Sequence, residues 1–156
     1  MEVNWGGSWC WGLLLLTVTT AVHAFGIVII FRGLRSIVQL AKTHESQIRH
    51  PLAFAVVVIA MVGLLLAVLH GVEAFLWATA YLLIGAMDTL RDAILYSLDS
   101  LTTRGSSGLS LDTEWQLMGA LEAADGMLLF GISTAFVFTV FQRIVGIIDV
   151  QDLGSG

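Results

Sequence analysis

Apolar residues run in three long blocks separated by short polar stretches. From Trp9 to Phe31 there is no Asp, Glu, Lys or Arg. At about 1.5 Å per helical residue, this block can cross a hydrocarbon layer of about 30 Å. Trp5, Trp9 and Trp11 gather at its start, as in an interfacial aromatic belt. A polar loop, Arg32 to His50, follows. Pro51 suits the first turn of a second helix, predicted from about Leu52 to about Ile84. That helix is longer than a bilayer requires, so tilt or a protruding end is expected. Asp88 is placed to cap a short helix from about Thr89 to Thr102, too short and too polar to span. A third span is predicted from about Trp115 to Ile144, with Asp112 or Thr113 as N-cap and Glu114 favourable in the first turn.

Composition fixes the medium. The 156 residues are 57% hydrophobic and 12% charged. A soluble domain carries roughly twice that charged share. An integral membrane protein is therefore expected. Four of the seven Lys and Arg residues, namely Arg32, Arg35, Lys42 and Arg49, lie in the first loop, and Arg143 ends the third span. The positive-inside rule puts the loop and the C-terminus in the cytoplasm, and the N-terminus and the 85–114 segment outside. The first apolar block is too long and too poorly flanked for a cleaved leader, since Glu2 precedes it and no basic residue does. The basic residues form no dense run, which argues against nucleic-acid binding. Cys10, the single cysteine, excludes an intrachain disulfide and gives no metal-site spacing.

The segment Tyr96 to Gly108 is the least ordinary stretch. It is partly polar, lies between two apolar blocks, and ends in glycines and small hydroxyl residues. Irregular backbone at membrane depth is tolerated only where protein wraps it or where it lines a water-filled path. Span, short helix, glycine-containing loop and span is the layout of a potassium-channel pore domain. The stretch Tyr96-Ser-Leu-Asp-Ser-Leu-Thr-Thr-Arg-Gly-Ser-Ser-Gly108, continuing to Glu114-Trp115, resembles the pore helix and filter of the small bacterial two-pore-domain-like potassium channels. That family typically reads Phe-Thr-Thr-Leu-Gly-Tyr-Gly-Asp, followed shortly by Glu-Trp. The likeness extends over His70-Gly-Val-Glu73, Leu76-Trp-Ala78, Leu117 to Thr134 and Phe141-Gln-Arg143, and so covers about Pro51 to Arg143.

The resemblance implies an all-α membrane protein of the bacterial inner membrane. It would have three transmembrane helices, a re-entrant pore helix and a filter loop, assembled as a homotetramer in the lipid bilayer. Residues 1–50 would supply an extra span and a basic cytoplasmic loop, 51–145 the pore domain, and 146–156 a short tail. It implies passive passage of inorganic ions, with no enzymatic role and no cofactor. The filter departs from the family pattern. Thr102, Thr103 and Gly105 match it. Arg104 stands where the family has Val, Ile or Leu, Ser106 replaces an aromatic residue, Ser107 the second glycine, and Gly108 the aspartate. Rings of backbone carbonyls need left-handed residues, and Ser107 in that conformation would cost about 1–2 kcal/mol. A weakly selective pore is therefore expected. The alternatives are an anion-favouring pore and a non-conducting scaffold or regulatory subunit. Asp99, five residues before Arg104, is its expected ion-pair partner behind the loop. The other reading sends Arg104 to the outer mouth and leaves Asp99 facing water. Gly126 and Gly131 allow bending or close helix approach, and Gly131 resembles the family's hinge position.

Ionisable groups inside spans remain to be explained. His70 and Glu73 share one helix face, as do Glu122 and Asp125. One reading is a metal site built from His70, Glu73, Glu122 and His23, giving a membrane metalloenzyme or a metal-sensing gate. The spacing carries no metal signature. The preferred reading, without a metal, has these groups hydrogen-bonding to one another and locking a scaffold.

Overall fold

A computed structural model of the chain describes residues 6–43, 51–105 and 108–154. Among these there are four helices and no strand: α1 (Gly6–Thr43), α2 (Pro51–Leu83), α3 (Leu90–Leu101) and α4 (Gln116–Gly154). Three are long and apolar enough to cross a membrane, over Gly6–Ile37, Leu52–Leu83 and Gln116–Gly146. Their outward side chains are large and apolar, including Phe25, Leu52, Val57, Leu64, Met127 and Phe138. Such a surface suits lipid and not water. The 12 residues of α3 reach about 18 Å, short of a crossing.

The helix ends differ in places from the sequence reading. The expected loop from Arg32 is helical as far as Thr43. Nothing between Arg32 and Thr43 breaks a helix except Gly33, and one glycine costs only about 1 kcal/mol. Residues 44–50 lie outside the described part. Thr89, not Asp88, caps α3: its φ of -125° and ψ of 143° are extended, and its hydroxyl oxygen accepts the Asp92 amide at 3.1 Å. At α4, Asp112 and Thr113 belong to a preceding turn closed by Trp115 N–H to the Asp112 carbonyl at 2.8 Å. The helix itself starts at Gln116, and it runs on through the expected tail to Gly154.

By internal contact the chain divides into two compact units. The first comprises Met1–Ala24 and Leu69–Gly131. Its apolar core is Trp77, Ala78, Tyr81, Ala86, Ala93, Leu111 and Met118. Small residues allow close approach here: Gly12 faces Leu121, Gly119 faces the Tyr96 ring, and Gly126 lies on the Leu101 backbone carbonyl. The second unit comprises Phe25–Val68 and Ile132–Gly156. Its core is built on Leu34, Val58, Val62, Leu66, Phe136, Val140 and Ile144. There the Phe31 ring takes the Arg35 guanidinium at 5.2 Å and the Arg143 guanidinium at 5.0 Å from its centroid. Two long basic side chains thus cover an aromatic surface while keeping their charged heads at the end of the apolar layer.

Gly126 and Gly131 separate into two roles. A Cβ at position 126 would collide with the carbonyl of Leu101, whereas one at 131 meets nothing within 4 Å. Gly126→Ala should therefore displace the end of α3 and destabilise the chain by about 1–3 kcal/mol, more than the helix propensity of alanine returns. Gly131→Ala should be neutral or stabilising. Thermal unfolding of the two variants in detergent checks the contrast.

Candidate functional site

The polar residues of the first unit form a connected layer. Buried positions on α1 are Ser8, Gly12, Thr19 and His23, spaced as one helical stripe. On α2 the stripe is Glu73, Trp77 and Tyr81, and on α4 it is Met118, Glu122, Asp125 and Leu129. All three carboxylates on these stripes have no exposure.

Each carboxylate is met by donors from other helices. Tyr81 donates its hydroxyl to Glu122 Oε2 at 2.7 Å. Ser97 of α3 lies within hydrogen-bond reach of Glu122 Oε1, and its hydroxyl is 2.9 Å from the Ala74 carbonyl. Asp125 Oδ2 accepts from Thr19 at 2.6 Å and from the Trp77 indole at 3.0 Å. Glu73 is gripped on both oxygens, by His23 Nδ1 at 2.7 Å and His70 Nδ1 at 3.0 Å. Lower on the stripe, Ser8 donates to the Glu114 carbonyl. The expected mutual bonding of His70, Glu73, Glu122 and Asp125 is thus replaced, except for His70 with Glu73, by partners on other helices. Glu122 bonds to Tyr81 and Ser97 and is not among the ligand atoms clustered at His23, His70 and Glu73.

This layer fixes α3. Ala93 and Ser97 have no exposure, and Leu101 rests against Gly126. Ala74 lies nine residues before the end of α2, and Gly126 ten residues after the start of α4. At 1.5 Å per residue these depths are about 13 and 15 Å along the two helices.

The chain leaves α3 through a tight reversal. The Thr103 amide bonds the Ser100 carbonyl and the Arg104 amide the Asp99 carbonyl, both at 2.9 Å. This is the Schellman pattern, which needs a left-handed residue after the cap. Thr103 fills that place with φ 55°, where glycine is usual. A β-branched residue there carries strain of about 1–2 kcal/mol. The reversal carries Arg104 back over the last turn, and its Nη1 sits 3.2 Å from Asp99 Oδ1. The Asp99 side chain is 8% exposed and that of Arg104 72%, so the pair joins a sheltered carboxylate to a solvent-facing guanidinium. Gly105 and Gly108 continue with φ 83° and 86°. Ser106 and Ser107 lie outside the described residues. Tyr96, Ser100, Thr103, Gly105, Leu111 and Gly119 are among the residues lining an open cavity of about 400 Å³ beside the loop.

The fold and site define an all-α membrane protein in which a short helix is held by buried carboxylates among long apolar ones. No protein-family model, curated protein or solved structure matches the chain.

The donors Thr19, Trp77, Tyr81 and Ser97 were not among the expected site residues, although their spacing was available. Trp77 and Tyr81 follow Glu73 at four and eight residues, and Thr19 precedes His23 by four.

Two expectations follow. Glu122→Leu leaves the buried Tyr81 hydroxyl without its acceptor, at a cost of about 1–3 kcal/mol, while Ser97 keeps the Ala74 carbonyl. Glu122→Gln should lose much less, as read by unfolding midpoints in detergent. For the ion pair, Arg104→Asp should weaken folding by about 1 kcal/mol, because that partner is largely exposed, and Asp99→Arg by more, because its site is sheltered. The double exchange should recover that loss; purely additive effects in a double-mutant cycle would rule the pair out as a stabilising contact.

Proposed function

We propose that the chain is a subunit of a potassium-channel-like tetrameric pore in the bacterial inner membrane, conducting small inorganic ions with weak selectivity. The observation that carries this reading is α3 itself. It contacts α2 and α4 about half a bilayer thickness from their ends on the same side, and then reverses through a glycine-containing loop. A short helix held at that depth with its C-terminal end inward is a re-entrant element in this reading, with 32–50 and the C-terminus cytoplasmic. The end of a helix dipole carries partial negative charge, which favours a cation in the low-dielectric layer. One re-entrant loop cannot enclose a path, so copies must converge about an axis.

Selectivity in this reading is low for a stated reason. The loop carries Ser106 and Ser107 where the carbonyl ladder of the similar family has an aromatic residue and its second glycine. Here the chain turns back at Thr103 and returns Arg104 to Asp99, which supports a wide mouth lined by hydroxyls and backbone. The pair keeps the net charge beside the loop near zero, so neither ion sign is strongly excluded. The exposed face of Arg104 is the feature that favours anions where it dominates.

Liposomes loaded with potassium, sodium or chloride salts test the proposal directly. Purified protein should pass potassium and sodium at similar rates. A strong preference for chloride would assign control to the arginine ring. No flux from a folded oligomer, or a particle of one subunit, would replace the pore by the scaffold reading.

A further inference from the structure

The pore reading makes no use of the group around His23. His23 comes from α1, and His70 and Glu73 from adjacent turns of α2. One ligand atom from each lies within 4.8 Å of the other two. We propose that His23, His70 and Glu73 form a binding site for a divalent transition-metal ion of the zinc class.

Geometry is the first argument. Donors around a four-coordinate zinc at about 2.0–2.1 Å stand roughly 3.3 Å apart. His23 Nδ1 now lies 2.7 Å from Glu73 Oε1 and His70 Nδ1 lies 3.0 Å from Oε2, so the three side chains must turn to bring one atom of each to that spacing from within 4.8 Å. Two imidazoles and one carboxylate suit zinc, cobalt(II) or iron(II), whereas calcium asks for more oxygens and copper(I) for sulfur. Three protein ligands leave a fourth position for water or another group.

The ligands are also held in advance. His23 and Glu73 have no exposure. The His70 ring stacks on Phe130 with centroids 4.2 Å apart and 25° between planes, and it lies 5.1 Å from the His23 ring. His70 is 14% exposed, the one ligand of the three that is not wholly enclosed.

Charge supplies the third argument. Asp125 lies within electrostatic range of both Glu73 and His23. Its Oδ1 is fully buried with no hydrogen-bond partner among the described residues. Glu73 and Asp125 thus place two carboxylates in one apolar region, and burying uncompensated charge is costly. A dication balances that charge. Without a metal, the same three side chains form only a hydrogen-bonded bridge between α1 and α2, and that is the competing outcome.

Full-length protein in detergent, stripped with a chelator, is titrated with cobalt(II) and then zinc(II). Binding is followed by the cobalt visible absorption, and metal content by mass spectrometry. One ion per chain is expected, with zinc displacing cobalt and raising the unfolding midpoint. His23→Gln, His70→Gln and Glu73→Gln should each weaken binding by at least about tenfold. A His44→Gln/His50→Gln variant, which removes the remaining histidines, should bind as the parent does. Absence of binding by the parent protein overturns the proposal even where the ligand variants fail to fold. Loss of binding in the His44/His50 variant overturns it too. None of these readouts depends on ion flux, so the pore reading and the metal site stand or fall separately.

Discussion

Three carboxylates with no exposure, Glu73, Glu122 and Asp125, set the terms for the rest of this molecule. In an apolar medium each needs donors supplied by the protein itself. Glu122 takes them from α2 and α3, Asp125 from α1 and α2, and Glu73 from α1 and from its own helix. Apolar contact alone would not choose a register, because lipid tails satisfy leucine as well as another helix does. A carboxylate that must meet an indole and a hydroxyl does choose one. A shift of α1 by one residue would rotate Thr19 and His23 off their acceptors together.

The same requirement accounts for α3. It has only 12 residues, exposes Leu90, Leu95 and Leu98, and could not persist alone. Its N-terminus is closed by Thr89 and its C-terminus by the Thr103 reversal. Between them, Ser97 plugs into Glu122 and the Ala74 carbonyl, while Gly126 gives the Leu101 backbone room to sit on α4. Strain at Thr103 is sustained because both helix-end hydrogen bonds and the Asp99–Arg104 contact favour the turn. The contacts that close the two ends of α3 lie within five residues in sequence, whereas those of Ser97 span 23 and 25.

That difference explains what could be read from the sequence. The three apolar helices and the short one between them follow from the blocks of apolar residues and from Pro51, and they need no knowledge of partners. Their ends were harder to place. Arg32 does not end α1, which runs on to Thr43, since arginine continues a helix as readily as leucine. Thr89 and Asp88 are equally good caps by type, and only the backbone of Thr89 decides between them. Within the site, His70 with Glu73 and Asp99 with Arg104 were legible because each pair lies within five residues. The His23–Glu73 and Thr19–Asp125 contacts span 50 and 106 residues. Helical stripes did contain the information, in Ser8, Gly12, Thr19 and His23 on one helix and in Glu73, Trp77 and Tyr81 on another. Pairing the stripes required the fold.

The buried layer and the loop are also separable, and this bears on how the loop came to carry Arg104. Tyr81, Ser97, Glu122, Thr19, Trp77 and Asp125 make no hydrogen bond to residues 102–105 or to Gly108 among the described contacts. What those contacts hold is the helix before the loop. Changes at the loop therefore leave the donors and acceptors of the scaffold satisfied. Arg104 adds one exposed charge whose partner is already present at Asp99, so it does not load the interior with an unpaired ion. A chain built this way can exchange the residues of the loop while the helices that position them stay fixed. In the proposed pore, selectivity is then a property of the few residues after Leu101, and assembly of the subunit a property of its buried acids.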